Sequence, residues 1–372
     1  MPTDGRSCLN MTNIRQIIQE AIAKSGPISF ARFMGLALYC PDFGYYEQPD
    51  MSLGQKGDFF TSVSVGALYG QLLACRFAGW LGELNPERLQ IVEAGAHDGR
   101  LAHDILAWLR TNRPDLARAV EYWIFEPSQN RRRSQEARLA EFRGQVRWFD
   151  AWHSLPAKVN GIIFCNELLD AMPVRRLGWD AEKKRWFEWG VAIQGDELVW
   201  ARMPGLLSPD VCGTTVGNLP NELLNALPDG FTTESSSAAI DWWKQAADAL
   251  ALGKLIAIDY GLESEAFFAP ERSAGTLRAY YRHHQNNDLL ARPGEQDITA
   301  QLNFSVIRDV GEAAGLNTVG LMTQAKFLTA ILEHPVSDAL RANWTSKQTR
   351  QFQTLTHPEH LGRSFRVLIQ SP

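Results

Sequence analysis

The stretch Leu89-Gln90-Ile91-Val92-Glu93-Ala94-Gly95-Ala96-His97-Asp98-Gly99 decides how this chain is read. Leu89 to Val92 is a short apolar run of the kind that forms a buried strand. A glycine-bearing turn follows, and then helical spacing from about Leu101 to Arg110. In an open α/β sheet, ligands bind outside the carboxyl ends of the strands, where this turn falls. Glycine lets the backbone turn sharply and approach a ligand closely. The helix start behind it offers free N–H groups that can hold a carboxylate. Glu93, at the strand end, suits a cationic amino group. A dinucleotide fingerprint wants G-x-G-x-x-G, and Gly95 and Gly99 have no third glycine in place. Taken alone, the motif also fits a purely structural turn.

Outward from this loop the pattern repeats. Glu121 to Phe125, Val146 to Phe149, Gly161 to Cys165 and Leu255 to Ile258 read as strands, and 128 to 142 as a helix. The last strand is Phe365 to Ile369. Strands alternating with helices predict a parallel sheet with crossovers. Between about Val174 and Met203 the spacing predicts antiparallel strands (185 to 192, then 198 to 203), read as an insertion extending to about 245. Towards the N-terminus, Ile14, Ile17, Ile18, Ala21 and Ile22 share a helical face. Gly26-Pro27 breaks that run, and Ser29 is placed to cap a second helix. A Gly-rich segment from Gly54 to Ser64 precedes an amphipathic helix from about Ala67 to Leu84. The fold class is α/β: a Rossmann-like core over 87–372, with a helical cap and cofactor-facing loop over 1–86 and an antiparallel β insertion.

The bulk numbers suit a globular protein. The chain has 372 residues, 45% of them hydrophobic, and a net charge of −5. That balance gives no electrostatic footprint for nucleic acid. No apolar run is long enough to span a bilayer, so no membrane insertion is expected. The five cysteines are scattered without a CxxC pair, which predicts neither a disulfide framework nor a metal site. A reducing compartment follows, the cytoplasm, or the mitochondrial matrix if the source is eukaryotic. Arg6, Arg15 and Lys24 resemble a presequence, against which Asp4 and Glu20 argue; Met11 is an alternative start.

Two later acids add to the loop. Glu126 ends the second parallel strand, where a carboxylate can accept from both ribose hydroxyls. Asp150 ends the third, where it can receive an adenine amino group, with Trp152 available for stacking. Each alone also fits a solvated loop residue; three strand-terminal acids in register fit S-adenosylmethionine, whose methionine end carries both a carboxylate and an amino group. After the fourth strand come Asn166-Glu167-Leu168-Leu169-Asp170. These polar residues are the candidate catalytic edge, since methyl transfer depends on positioning the nucleophile. Carboxylates there can orient an amine or guanidinium. The alternative is that Asn166 and Asp170 cap a following helix.

The chain resembles the MidA family of methyltransferases, which includes the mitochondrial complex I assembly methyltransferase and bacterial relatives. The resemblance runs from about Ile28 to the final strand. Its signatures are Leu38-Tyr39-Cys40-Pro41-Asp42-Phe43-Gly44-Tyr45-Tyr46, Gly57-Asp58-Phe59-Phe60-Thr61-Ser62, Glu93-x-Gly95, Glu126-Pro127-Ser128 and Asn166 to Val174. Later come Asp259-Tyr260-Gly261, Gly275-Thr276-Leu277-Arg278, Tyr280-Tyr281-Arg282-x-His284 and Pro293-Gly294-x-x-Asp297-Ile298-Thr299. It implies a class I methyltransferase core, S-adenosylmethionine as cofactor, and, for the mitochondrial member, an arginine on a respiratory-complex subunit as acceptor. It also implies that Gly57 to Ser62 lines the cofactor pocket, with Thr61 and Ser62 supplying hydroxyls. Arg282, His284 and Asp297 are read as parts of a substrate cleft, with Tyr45, Tyr46 and Phe59 as its walls or as core aromatics. The chain departs from the family where His97 replaces a glycine and Val63 a proline, and Gln285-Asn286-Asn287 is unusual.

The expected activity is S-adenosylmethionine-dependent methylation of a protein arginine. Glu167, Asn166, Asp170 and His284 are the catalytic candidates. Thr61, Ser62, Glu93, Gly95, His97, Gly99, Glu126, Asp150 and Asn166 are the cofactor-binding ones. The alternatives are a small-molecule methyltransferase of secondary metabolism and a non-catalytic assembly factor, for which His97 would be the mark.

Overall fold

A computed structural model describes residues 13–48, 61–85, 88–205, 207, 216, 219–282, 284–333, 337, 340 and 344–372. Gly57 to Phe60 lie outside the described residues, and with them the Phe59 expectation. The chain divides into two compact units. The first takes residues 1–52, 171–241 and 262–306; the second takes 53–170, 242–261 and 307–372.

The first unit begins with the helices Ile14–Ser25 and Phe30–Tyr39. Asn13 caps the first through the Gln16 N–H (3.0 Å), and Ser29 caps the second through the Arg32 N–H (3.2 Å). Gly26, with a φ of 73°, stops the first helix. Between them Ile28–Ser29 forms a two-residue strand paired antiparallel with Val191 and Gly190, where the spacing predicts only helices. The expected meander is present as Arg175–Asp180, Arg185–Gln194 and Glu197–Arg202, joined by Thr232–Ser235. A three-stranded sheet of Arg278–Tyr281, His284–Asn286 and Asp297–Thr299 completes the unit. Its core includes Ile18, Phe30, Phe33, Leu38, Val191 and Ile298.

In the second unit seven strands lie in the order Asn317–Thr323, Phe365–Ser371, Leu250–Leu262, Val159–Asn166, Leu89–Ala94, Val120–Phe125, Val146–Phe149. The last five pair in parallel; Phe365–Ser371 runs antiparallel between its two neighbours. Among the five parallel strands, chain order runs outward in both directions from the pair Leu89–Ala94 and Val159–Asn166. That pair is the topological switch point, and its carboxyl ends are the default ligand crevice of such a sheet. The helix Leu68–Gly82 is buried on almost every side rather than amphipathic, because it packs against the helix Arg100–Asn112 and the sheet. This packing places it in the second unit. Residues 262–306 cluster with the first unit.

Candidate active site

The first parallel strand carries Glu93 to its end, buried, with the Tyr122 hydroxyl donating to Oε2 at 2.7 Å. Burial pushes the Glu93 carboxyl up to about 8 in spite of that bond. A cation placed beside it would draw the proton off, which suits an ammonium ligand. The turn that follows needs positive φ at three places: Gly95 (72°), His97 (46°) and Gly99 (79°). A Cβ on Gly95 would come within 2.9 Å of Leu168 Cδ1, so the turn fits against the 166–170 segment only without a side chain. His97 occupies a conformation that costs a non-glycine residue about 1 kcal/mol. Its Nδ1 is buried without a hydrogen-bond partner, 4.0 Å from Asp98 Oδ1, and burial lowers the imidazole below its ordinary value. Asp98 is the charged group nearest that nitrogen and favours its protonated form, but burial outweighs it.

Glu126, at the end of Val120–Phe125, is also buried. Oε1 accepts from the Ser128 N–H (3.0 Å) and Oε2 from Gln135 Nε2 (3.1 Å). Gln135 lies on the helix Gln129–Arg138 and is fully buried. Its Nε2 also donates to the His97 carbonyl (2.9 Å), and its Oε1 accepts from Trp148 Nε1 (2.9 Å). Asp150 differs from the other two acids. It is exposed and accepts from Ser154 Oγ at 3.2 Å, holding the short turn Trp152–Ser154. Trp152 is stacked on Phe125, with ring centroids 4.8 Å apart.

Val159–Asn166 delivers Asn166 and Glu167. Asn166 Oδ1 accepts from the buried Tyr69 hydroxyl (2.5 Å), and its Nδ2 donates to Glu167 Oε1 (3.0 Å). The same Oε1 accepts from the Ser62 N–H (3.3 Å). Glu167 has a φ of 51°. Burial, and next the Asp259 charge, push its carboxyl up to about 8. No helix follows, so Asn166 and Asp170 are not helix caps. Instead Asp259 Oδ2, fully buried at the end of the fifth parallel strand, accepts from the backbone N–H of Leu168 (3.2 Å), Leu169 (2.8 Å) and Asp170 (3.3 Å). Asp170 is buried beside this clasp.

Thr61 and Ser62 point their hydroxyls into the protein. Thr61 Oγ1 accepts from the Ser64 N–H (3.1 Å), capping the turn Ser62–Val65. Ser62 Oγ donates to Gln324 Oε1 (3.0 Å). Ser62 instead offers its backbone N–H to Glu167. In the first unit, His284 and Arg282 are exposed, while Tyr46 donates to buried Asp297 Oδ1 at 2.7 Å. Tyr45 is a core aromatic.

Glu93, Gly95, His97, Gly99, Glu126, Asn166, Glu167 and Asp170 thus gather at the carboxyl ends of adjacent strands. Reading the sequence missed Tyr69, Tyr122, Gln135 and Gln324, and gave Asp259 no role. Tyr122 carried a signal, since a tyrosine in a buried strand needs a partner for its hydroxyl. Gln135, amid arginines on a polar helix, carried none. The donor set suits a ligand bearing an ammonium, a carboxylate and ribose hydroxyls: a buried acid, a glycine cradle at a helix start, a buried imidazole nitrogen, and a second buried acid held in place at the next strand end.

Comparisons with known proteins bear on the same region. The family model "Putative S-adenosyl-L-methionine-dependent methyltransferase" matches residues 72–322. "Protein arginine methyltransferase NDUFAF7 homolog, mitochondrial" of Drosophila melanogaster is 24% identical, over 95% of this chain and 84% of that protein. The Mus musculus protein arginine methyltransferase NDUFAF7 is 26% identical, over 97% of this chain and 85% of that one. A crystal structure from Burkholderia thailandensis, described as a "likely methyl transferase" and bound to S-adenosyl-homocysteine, superposes with a TM-score of 0.79 at 29% identity. It covers 96% of this chain, which covers 92% of it. Strand order, the acid-glycine turn and a family match running from the helix Leu68–Gly82 to the strand Asn317–Thr323 lead to one conclusion: the chain belongs to the MidA family of class I S-adenosylmethionine-dependent methyltransferases.

Proposed function

We propose that the methyl acceptor is an arginine side chain of a protein and that Glu167 is the carboxylate that receives it. The observation carrying this reading is the setting of Glu167. A non-glycine residue is held at a φ of 51°, with its carboxyl buried and fixed by Asn166 Nδ2 and the Ser62 N–H. Backbone strain of about 1 kcal/mol at a strand end is kept where a side chain must stand in one place. The names of the Drosophila and mouse relatives, both protein arginine methyltransferases, support the acceptor class.

The cofactor supplies an electrophilic methyl group on a sulfonium. Glu93, the Gly95–Gly99 turn, His97 and Glu126 would hold it. With a guanidinium beside it, Glu167 would give up its own proton to solvent; ionised, it would orient the reacting nitrogen, offset the cation's charge and take up the proton that the nitrogen loses on methylation. Asn166 fixes the Glu167 carboxyl, and Asp259 fixes the turn that carries Asp170. This assignment gives Asp150 and His284, both exposed, no part in the transfer. A respiratory-complex subunit as acceptor, and a cytoplasmic or matrix location, belong to the same proposal. Among the described residues, no helix is long and apolar enough to cross a membrane.

Incubating the purified chain with methyl-labelled cofactor and a cell extract tests this reading. Label in methylarginine after protein hydrolysis is the expected result. Label confined to small molecules would overturn it.

A further inference from the structure

We propose that Gln135 is a positioning residue that sets cofactor affinity by locking the glycine turn to the ribose-binding acid. This rests on assigning the cofactor to the Glu93–Gly99 turn and Glu126. The side-chain amide is fully buried, and each of its polar atoms is engaged. Nε2 donates to the His97 carbonyl (2.9 Å) and Glu126 Oε2 (3.1 Å), and Oε1 accepts from Trp148 Nε1 (2.9 Å). One side chain therefore ties together the turn after the first strand, the acid after the second, and the third strand itself. The amide orientation is unambiguous, because two acceptors face one end and an indole donor faces the other.

Two consequences follow from that geometry. The His97 carbonyl is turned toward Gln135, so the strained backbone at φ 46° is held in one conformation. The Glu126 carboxylate has one acceptor site on each oxygen filled from within the protein, by Ser128 and Gln135. Those two bonds fix the direction in which the carboxylate faces the hydroxyls of a ribose. The helix itself packs on the turn: a Cβ on Gly99 would lie 3.4 Å from Gln135 Cα. Removing the amide frees both binding elements without touching either directly.

The test measures S-adenosyl-homocysteine binding by calorimetry and methyl-transfer kinetics for wild type, Gln135→Met, Gln135→Glu and Glu126→Ala. Gln135→Met should raise the cofactor Kd and KM about 10- to 100-fold, while kcat at saturating cofactor stays within about threefold. Gln135→Glu keeps the shape and the Trp148 bond but sets an acceptor against the Glu126 carboxylate and the His97 carbonyl. Its affinity should fall as pH rises from 5.5 to 8, beyond any change in wild type, since only the protonated acid can donate. A merely structural glutamine would lower thermal stability without this split or this pH dependence. Kd values within twofold of wild type for folded Gln135→Met would overturn the proposal. If that variant does not fold, a Gln135→Glu affinity that tracks wild type across pH would do so. Glu126→Ala separates the underlying assignment. Unchanged affinity there sinks the cofactor site itself, whereas weakened binding there with normal Gln135→Met sinks only the role of Gln135.

Discussion

Replacing Glu167 by Gln separates the charge of the site from its shape. The carboxyl is pushed up to about 8 from an ordinary value near 4.5, first by burial and then by the Asp259 charge. An acid raised in this way keeps its proton in the folded protein after the unfolded chain has released it. Its stabilising contribution is complete below about pH 4.5 and is lost as pH rises towards 8. At about 1.4 kcal/mol per tenfold change, the loss is on the order of 4 kcal/mol by pH 8. Glutamine has no such proton to lose, and its Oε1 can still accept from Asn166 and Ser62. Its added N–H groups need partners, which takes back about 1 kcal/mol. In urea unfolding without cofactor, the variant should match wild type near pH 5. By pH 8 it should exceed wild type by on the order of 2–4 kcal/mol. Methyl transfer should meanwhile fall at least about tenfold, with S-adenosyl-homocysteine affinity kept. A stability difference that is the same at pH 5 and pH 8 would refute the reasoning, because it would mean that Glu167 ionises freely in the folded protein.

Other perturbations probe the neighbouring elements. Gly95→Ala puts a Cβ 2.9 Å from Leu168 Cδ1 at a φ of 72°, so calorimetry should show lost cofactor affinity and thermal unfolding a drop of about 1–3 kcal/mol. Asp259→Asn turns an amide towards three backbone N–H groups that now share one carboxylate oxygen. Turnover should collapse more than cofactor affinity, and amide exchange at Leu168 to Asp170 should accelerate. His97→Gly relieves the strained φ but deletes the unmet Nδ1, so S-adenosyl-homocysteine affinity should fall about tenfold with stability changed by less than about 1 kcal/mol. Unchanged affinity would remove His97 from the cofactor contacts.

The parallel strands were legible because they are apolar runs closed by glycine or acidic turns, and Val146–Phe149 falls where its spacing put it. Thr232–Ser235 was not: Thr-Thr-Glu-Ser is fully buried yet polar, with Glu234 Oε2 accepting from the Thr276 N–H and hydroxyl at 2.8 Å each. No hydrophobicity pattern marks a strand satisfied by a segment 42 residues away. Asn317–Thr323 hid for a different reason. None of its positions is fully buried, and it carries a register shift near Gly320. In the site, spacing put Glu93, Glu126 and Asp150 at equivalent strand ends, but could not tell that the first two are buried and the third exposed. Burial depends on what covers each end, and for Glu126 that includes Gln135, nine residues on and invisible to any motif.

The Asp259 clasp has a kinetic side. Its three acceptor contacts to Leu168, Leu169 and Asp170 span 91, 90 and 89 residues of chain. The intervening stretch includes the whole segment 171–241 of the other unit. Closing so long a loop is entropically slow, and nothing local in the sequence holds the 167–170 turn beforehand. The reacting edge should therefore be among the last parts of the second unit to order during folding. A nascent or partly unfolded chain would have its first three parallel strands in place, with the glycine turn and Glu126, while remaining unable to transfer a methyl group. Catalytic competence in this protein then reports that the fifth strand has docked.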